Sequence, residues 1–250
     1  MNRKIILLLL IFTGFCSQAQ VSGYQGRRLL LNYDEYFMSA PTGPNQNGNE
    51  GFTSFNLHNR VSIDYVLSRG LSLGVDYHFF KTCFQLPGAS IDYIDPSYGG
   101  YNTAVLETDG MLAHSSVTGI GIHLKKYFTN NIAPLGNYME FGIIDFFQDV
   151  SYDKDKLQAL NPDVVLNIPN QSPYSSVAFS ISYGKKSIFF NRLVLDYGMQ
   201  SGIVFNGITP TIRQQEYYKD MNVYLEEPAR MRLLSHFIFN IHVGVGLLII

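Results

Sequence analysis

The stretch Leu71-Ser72-Leu73-Gly74-Val75-Asp76-Tyr77-His78-Phe79 alternates strictly, with large apolar side chains at the odd positions and glycine, serine or ionisable side chains at the even ones. An extended chain sends successive side chains to opposite faces, so this is a strand with one apolar and one polar face. The same rhythm returns at Val61, Ile63, Tyr65 and Leu67 against Arg60, Ser62 and Asp64, and at Ile120, Ile122 and Leu124 against Gly119, Gly121, His123 and Lys125. It continues through Val177 to Tyr183, Leu193 to Met199, and Phe237 to Leu247.

With weaker segments near Arg27–Met38 and Tyr138–Phe147, eight strands are expected, at about 24–38, 54–68, 71–84, 115–128, 137–149, 175–184, 190–206 and 231–250. Long connections at 39–53, 85–114, 150–174 and 207–230 alternate with short ones at 68–70, 129–136 and 185–189. An even strand number with long and short connections at opposite ends is the pattern of an all-β, eight-stranded antiparallel up-and-down transmembrane β-barrel. Long loops would then be extracellular, and both termini periplasmic. All 10 prolines fall in the expected connections, as the missing ladder donor requires. Residues 214–227 are charged enough for a short helix in the last connection.

Aromatic residues gather at both strand ends: Tyr127, Phe128, Tyr138, Tyr183 and Phe189 near the short turns, Phe37, Phe55, Phe79, Phe147 and Phe205 near the long loops. Two such belts suit the two interfaces of a bilayer. Asp145 shares the apolar parity of Phe141 and Ile143, which a bulge or the strand's polar outer end could accommodate.

Arg3 and Lys4 precede an apolar run, Ile5–Phe12, and Ser17 and Ala19 flank a cleavage site before Gln20. This reads as a signal peptide at 1–19, with the barrel domain at 20–250. Cys16 follows the bulky Phe15, which disfavours a lipoprotein leader. The mature chain keeps Cys83 alone, so it has no intrachain disulfide. Of 18 basic residues Arg3 and Lys4 leave with the leader, so 20 acidic ones give the mature chain about −4. Nucleic acid is therefore not an expected partner. No later stretch is long and apolar enough for a spanning helix, so any membrane residence must be through strands.

The chain resembles the small outer-membrane β-barrel domain proteins of the Bacteroidota, an eight-stranded class. The likeness lies in Tyr24-Gln25-Gly26-Arg27-Arg28, Leu124-Lys125-Lys126-Tyr127-Phe128, Ile132-Ala133-Pro134-Leu135-Gly136-Asn137-Tyr138 and Val243-Gly244-Val245-Gly246-Leu247. It implies an outer-membrane barrel assembled by the insertion machinery, and it carries over no catalytic residue. A final Ile250 departs from the aromatic that often ends such chains.

A barrel of eight strands has room only for its own inward side chains. Those expected inside are Arg28, Asp34, Arg60, Asp64, Asp76, His78, His123, Lys125, Glu140, Asp196, Gln200, His236, Asn240 and His242, with glycines making space. Mixed signs point to a mutually neutralising network, because an unpaired buried charge is costly. No histidine or cysteine pair has metal-holding spacing, and no cofactor is expected. Recognition of an extracellular protein or glycan would fall to the loops, where Tyr93, Tyr98 and Tyr101 combine stacking faces with hydrogen-bonding tips.

A non-enzymatic structural or surface-interaction role is the main expectation. A rim-active lipid hydrolase or acyltransferase is a second, resting on His114-Ser115-Ser116 near Asp145 and Asp149. It lacks a Gly-x-Ser-x-Gly elbow. A soluble periplasmic lipocalin-like carrier is a third, since alternation alone does not say which face is outside.

Overall fold

The structure, a computed structural model, describes residues 23–39, 43–49, 51, 54–86, 88–94, 101–128, 131–162, 174–205 and 221–249. The expected leader, 1–19, lies outside the described residues. The strands are β1 (Leu29–Ser39), β2 (Phe55–Ser68), β3 (Leu71–Gln85), β4 (Ala89–Ile94), β5 (Tyr101–Leu106), β6 (Leu112–Tyr127), β7 (Gly136–Ser151), β8 (Tyr174–Phe189), β9 (Leu193–Phe205) and β10 (Asn240–Leu248). Two helices are described, α1 (Lys154–Leu160) and α2 (Met221–Phe237).

Eight strands close into a barrel in the order β1-β10-β9-β8-β7-β6-β3-β2, every pairing antiparallel. The pair β4 and β5 forms a separate hairpin within the long connection expected at 85–114. Burial alternates residue by residue along β2, β3, β6, β7, β8 and β10. In β3 the exposed set is Leu73, Val75, Tyr77 and Phe79, and the buried set is Ser72, Asp76 and His78. The orientation that alternation left open is thus settled: the apolar face is outside.

The outward apolar run from Leu71 to Phe79 extends about 26 Å along the strand at ~3.3 Å per residue, or roughly 20 Å along the barrel axis at the usual tilt. Exposed aromatic side chains border it at both ends, with Phe37, Phe55, Phe79, Phe147 and Phe205 toward the long loops and Phe128, Tyr183 and Phe189 toward the short turns. Tyr127 and Tyr138 do not join the lower belt. Both point inward and are buried against Val66 and Ala133. Asp145 faces outward in unbroken register between Ile120 and Val177, so no bulge removes it from that face.

The last strand differs most from the expected one. Residues expected to begin it at 231 belong to α2, whose buried positions Leu225, Ala229, Arg232, Leu233, His236 and Phe237 recur with helical spacing. Extended structure resumes only at Asn240. Phe237 therefore packs inside the barrel's mouth with Tyr36, Met38, Phe80, Phe146 and Leu233. Above it, Leu225 and Ala229 meet Phe84, Leu86, Leu106, Val150 and Leu157 in a second apolar cluster. Leu157 belongs to α1, which is capped by the Asp153 carboxylate accepting the Lys156 N–H at 2.9 Å. The helical expectation at 214–227 overlaps α2 only from Met221, and residues 214–220 lie outside the described residues.

At the opposite end Leu30, Val194 and Leu248 form a small apolar floor. The interior is therefore layered: an apolar plug at the long-loop end, an ionic middle, and an apolar base. Close approach of β8 and β9 depends on Gly198, where a Cβ would meet the Tyr183 carbonyl oxygen and lie 2.7 Å from Gly184 Cα. Backbone atoms cannot step aside, so Gly198→Ala is expected to lower unfolding free energy by about 1–3 kcal/mol. Urea titration of the folded barrel measures this, and an unchanged midpoint would refute the tight β8–β9 contact.

Candidate functional site

The ionic middle is built by inward positions on all eight barrel strands. Arg60 of β2 donates through Nε and Nη2 to Asp34 Oδ2 at 3.0 and 2.8 Å, and through Nη1 to Glu140 Oε1 at 2.6 Å. Asp76 lies 3.8 Å from its Nε. The guanidinium also stands 5.3 Å from the centre of the Tyr36 ring. An arginine suits this position because its planar fork serves two carboxylates at once.

Asp64 is the second hub. It accepts from Lys125 Nζ at 2.8 and 3.0 Å, from Lys186 Nζ at 3.1 Å and from Asn32 Nδ2 at 3.1 Å, and it meets His123 Nε2. His123 Nδ1 lies 2.8 Å from Asp76 Oδ2. Both imidazole nitrogens therefore face carboxylate oxygens, which only a ring carrying two N–H groups satisfies. Gly74 makes room for this bridge, since a Cβ there would meet the His123 ring and lie 2.6 Å from Asp64 Oδ1.

Lys125 also reaches Glu140 at 3.2 Å, and Lys186 reaches Asp196 at 3.3 Å. Tyr138 donates to Asp196 Oδ1 at 2.9 Å, leaving its oxygen to accept from His242 Nε2 at 3.2 Å. Arg60, Lys125 and Lys186 thus face Asp34, Asp64, Asp76, Glu140 and Asp196, with His123 adding positive charge. All of these side chains are buried. The close interleaving of signs sets four positive groups against five carboxylates and fills the barrel's cross-section.

The structure brings together Arg60, Asp64, Asp76, His78, His123, Lys125, Glu140, Asp196 and His242. Arg28 is not among them: it precedes β1, is half-buried, and makes no ion pair among the described residues. His236 is inside the barrel but on α2, because the segment expected to be strand is helical there. Sequence reading also missed Lys186, His58, Tyr36 and Tyr138. Lys186 falls in the expected short connection 185–189, yet it continues the inward parity of Ser180 and Ser182. His58 shares the parity of Arg60, lies 2.8 Å from His78, and stacks on Tyr36 at 5.0 Å.

His236 closes the network toward the plug. Thr82 Oγ1 accepts from Arg232 Nε at 3.2 Å and lies 2.8 Å from His236 Nε2. Asn56 Nδ2 approaches the same nitrogen at 3.4 Å. Nε2 is therefore an acceptor and the ring is neutral. Burial, with Arg232 nearby, holds the His236 pKa well below its usual value.

The unfolded chain protonates this histidine near pH 6.5 while the folded one resists, so stability is full above that value and falls as pH drops below it. The expected loss is about 1.4 kcal/mol per pH unit for each proton taken up, and His236→Gln should reduce the slope by one such share. Urea midpoints at pH 7.5, 6.5 and 5.5 provide the check; identical slopes in both proteins would contradict it.

At the long-loop rim, the β6–β7 register sets Ser116 opposite Asp149 and His114 opposite Ser151. His114 and Ser116 face outward, but Ser115 is buried inside. No hydrogen bond joins His114 to Ser116 or Asp149 among the described residues, so the components of a hydrolytic site are not assembled. In the β4–β5 hairpin Tyr93 stands opposite Asn102 and Tyr101 opposite Ile94. Tyr98 lies outside the described residues. An open cleft of about 930 Å³ adjoins α2, lined in part by Pro44, Phe84, Met231, Leu234 and Ile238. Its wall is tied down by Arg232, which donates to the Gly43 carbonyl at 3.2 Å and to that of Pro44.

No family model matches the chain, and no curated protein matches it. Among solved structures it is similar to the crystal structure of Neisserial surface protein A (NspA), with 13% sequence identity and a TM-score of 0.41 over 88% of this chain and 97% of that one. The barrel itself rests on the strand register of this chain.

Proposed function

We propose that this chain is a bacterial outer-membrane barrel with a structural or surface-interaction role, its interior sealed and its contacts made by the long-loop end. One observation carries the reading, namely the reversed partition of side chains, with Ile122, Val75, Ile143 and Val245 exposed while Arg60, Lys125 and Lys186 are buried. In water the exposed face would be a large aggregation-prone surface. In a bilayer it is a solvent match, and closure of the barrel satisfies every strand edge.

The same observation disfavours the soluble carrier, which needs an apolar cavity where this barrel holds ion pairs. The unassembled rim groups favour a non-enzymatic role. On this reading residues 1–19 are a cleaved leader, both ends of the chain are periplasmic, and the barrel is inserted by the assembly machinery. The likeness of its strand and turn motifs to Bacteroidota barrels supports the same placement. The hairpin β4–β5 and the cleft beside α2 are the surfaces offered to an extracellular protein or glycan.

The test is extraction from outer-membrane fractions followed by SDS gel mobility with and without boiling. Detergent-dependent extraction with heat-modifiable migration is expected. Soluble periplasmic recovery without a mobility shift would overturn the reading.

A further inference from the structure

We propose that the short-turn end of the barrel carries a basic collar that binds the phosphate headgroups of anionic glycerophospholipids, an inference that rests on the membrane reading above. Six cationic side chains lie there. Arg27 and Arg28 precede β1, Arg69 is in the β2–β3 turn, and Arg192 is in the β8–β9 turn. Lys126 and Lys185 face outward near the ends of β6 and β8. Register places both lysines near the short-turn end of β7, the strand between them: Lys126 is opposite Met139 and Lys185 opposite Asn137, two residues apart.

Arg69, Lys126, Lys185 and Arg192 are exposed. The Arg27 guanidinium donates to the Asn191 carbonyl, which ties the segment before β1 to the β8–β9 turn and keeps its charge in the ring. No acidic side chain joins this collar among the described residues. The nearest acids along the strands, Glu140 and Asp196, face the lumen and are committed to Arg60, Lys125 and Lys186. Among the described residues no anionic side chain is left to neutralise the collar.

The depth is that of a headgroup. Phe128 and Tyr183 are exposed two residues from Lys126 and Lys185, and such rings settle at the boundary of hydrocarbon and headgroup. A lysine beside them lays its methylene stem along the apolar surface and lifts its ammonium to phosphate level. At the long-loop end the balance is reversed. Asp109, Asp149, Asp153, Asp155 and Glu226 are among the acids that outnumber lysines and arginines there. The polarity is therefore a property of one rim. In the proposed orientation that rim meets the periplasmic leaflet, whose lipids are glycerophospholipids.

The experiment places the folded barrel in phosphatidylcholine vesicles with trace spin-labelled phosphatidylglycerol or phosphatidylcholine, and reads the motionally restricted lipid fraction by electron paramagnetic resonance. The wild type should prefer phosphatidylglycerol about threefold at roughly 0.1 M salt, with the preference vanishing near 1 M. The combined variant Arg69→Gln, Lys126→Gln, Lys185→Gln, Arg192→Gln should lose most of it, Lys126→Gln alone a smaller part, and Lys154→Gln with Lys156→Gln should keep the full wild-type value. Restricted lipid without headgroup preference in the wild type, or a preference unchanged in Lys126→Gln, would overturn the collar alone. A wild type with no restricted lipid component would overturn both the collar and the membrane reading.

Discussion

Asp64→Asn is expected to destabilise the barrel by about 3–5 kcal/mol, the usual cost of removing one partner from a buried charge cluster. The carboxylate is fully buried and accepts from Lys125, Lys186 and Asn32 while meeting His123. An amide of equal size keeps the packing but leaves two ammonium groups and an imidazolium facing one another. The cost is thus electrostatic, and a second substitution separates it from packing. Adding Lys186→Met to Asp64→Asn removes one of the cations left facing the amide and should recover part of the loss, reduced by what Asp196 forfeits with its 3.3 Å partner. Urea-dependent unfolding in vesicles gives both values. An Asp64→Asn variant as stable as the wild type would show that the cluster is not organised around Asp64.

Phe237→Ala should cost a similar ~3–5 kcal/mol, for a different reason: an emptied apolar site. The ring is fully buried in the mouth, 5.3 Å from the Phe146 ring and packed with Leu233, Val204 and Ala178. It is also the last residue of α2, the point where the helix enters the barrel. The loss should therefore concentrate in the plug. Amide hydrogen exchange across 225–237 is expected to accelerate strongly while β2, β3 and β6 keep their protection. Ile238→Ala, one residue on but 63% exposed, should change stability by less than about 0.5 kcal/mol. Equal acceleration throughout the barrel would mean that α2 and the strands unfold as one unit.

The barrel was legible in the sequence because each strand meets two unlike environments, and a period of two records that difference at every residue. Leu71–Phe79 shows it in nine consecutive positions. The same signal misled at 231–239. Phe237, Phe239 and Ile241 alternate by coincidence across the junction between α2 and β10, so a helical turn passed for the start of a strand. Pro228 inside α2 further obscured its helical spacing. The hairpin β4–β5 and helix α1 are short elements in long connections and carry too few residues for a period to emerge.

Within the site, inward facing was legible and partnership was not. Parity alone places His58 and Lys186 beside the residues that were identified. Which side chains meet depends on how the strands stagger around the closed barrel. Arg60 finds Glu140 80 residues away, and Lys186 finds Asp64 122 residues away. Tyr127 and Tyr138 show the converse. Aromatic identity suggested a belt, but their parity, shared with Lys125 and Glu140, directs them inside.

The central claim is that the apolar face contacts hydrocarbon while the ion network faces inward. Its most direct test is collision accessibility of single spin labels at positions 73, 75, 77 and 81, introduced with Cys83→Ser into the membrane-inserted barrel. Labels replacing Leu73, Val75 and Tyr77 should be relaxed by oxygen and shielded from a water-soluble nickel chelate, and the label replacing Lys81 should be open to the chelate. Equal access of the chelate to all four would contradict a lipid-facing surface and return the barrel to water.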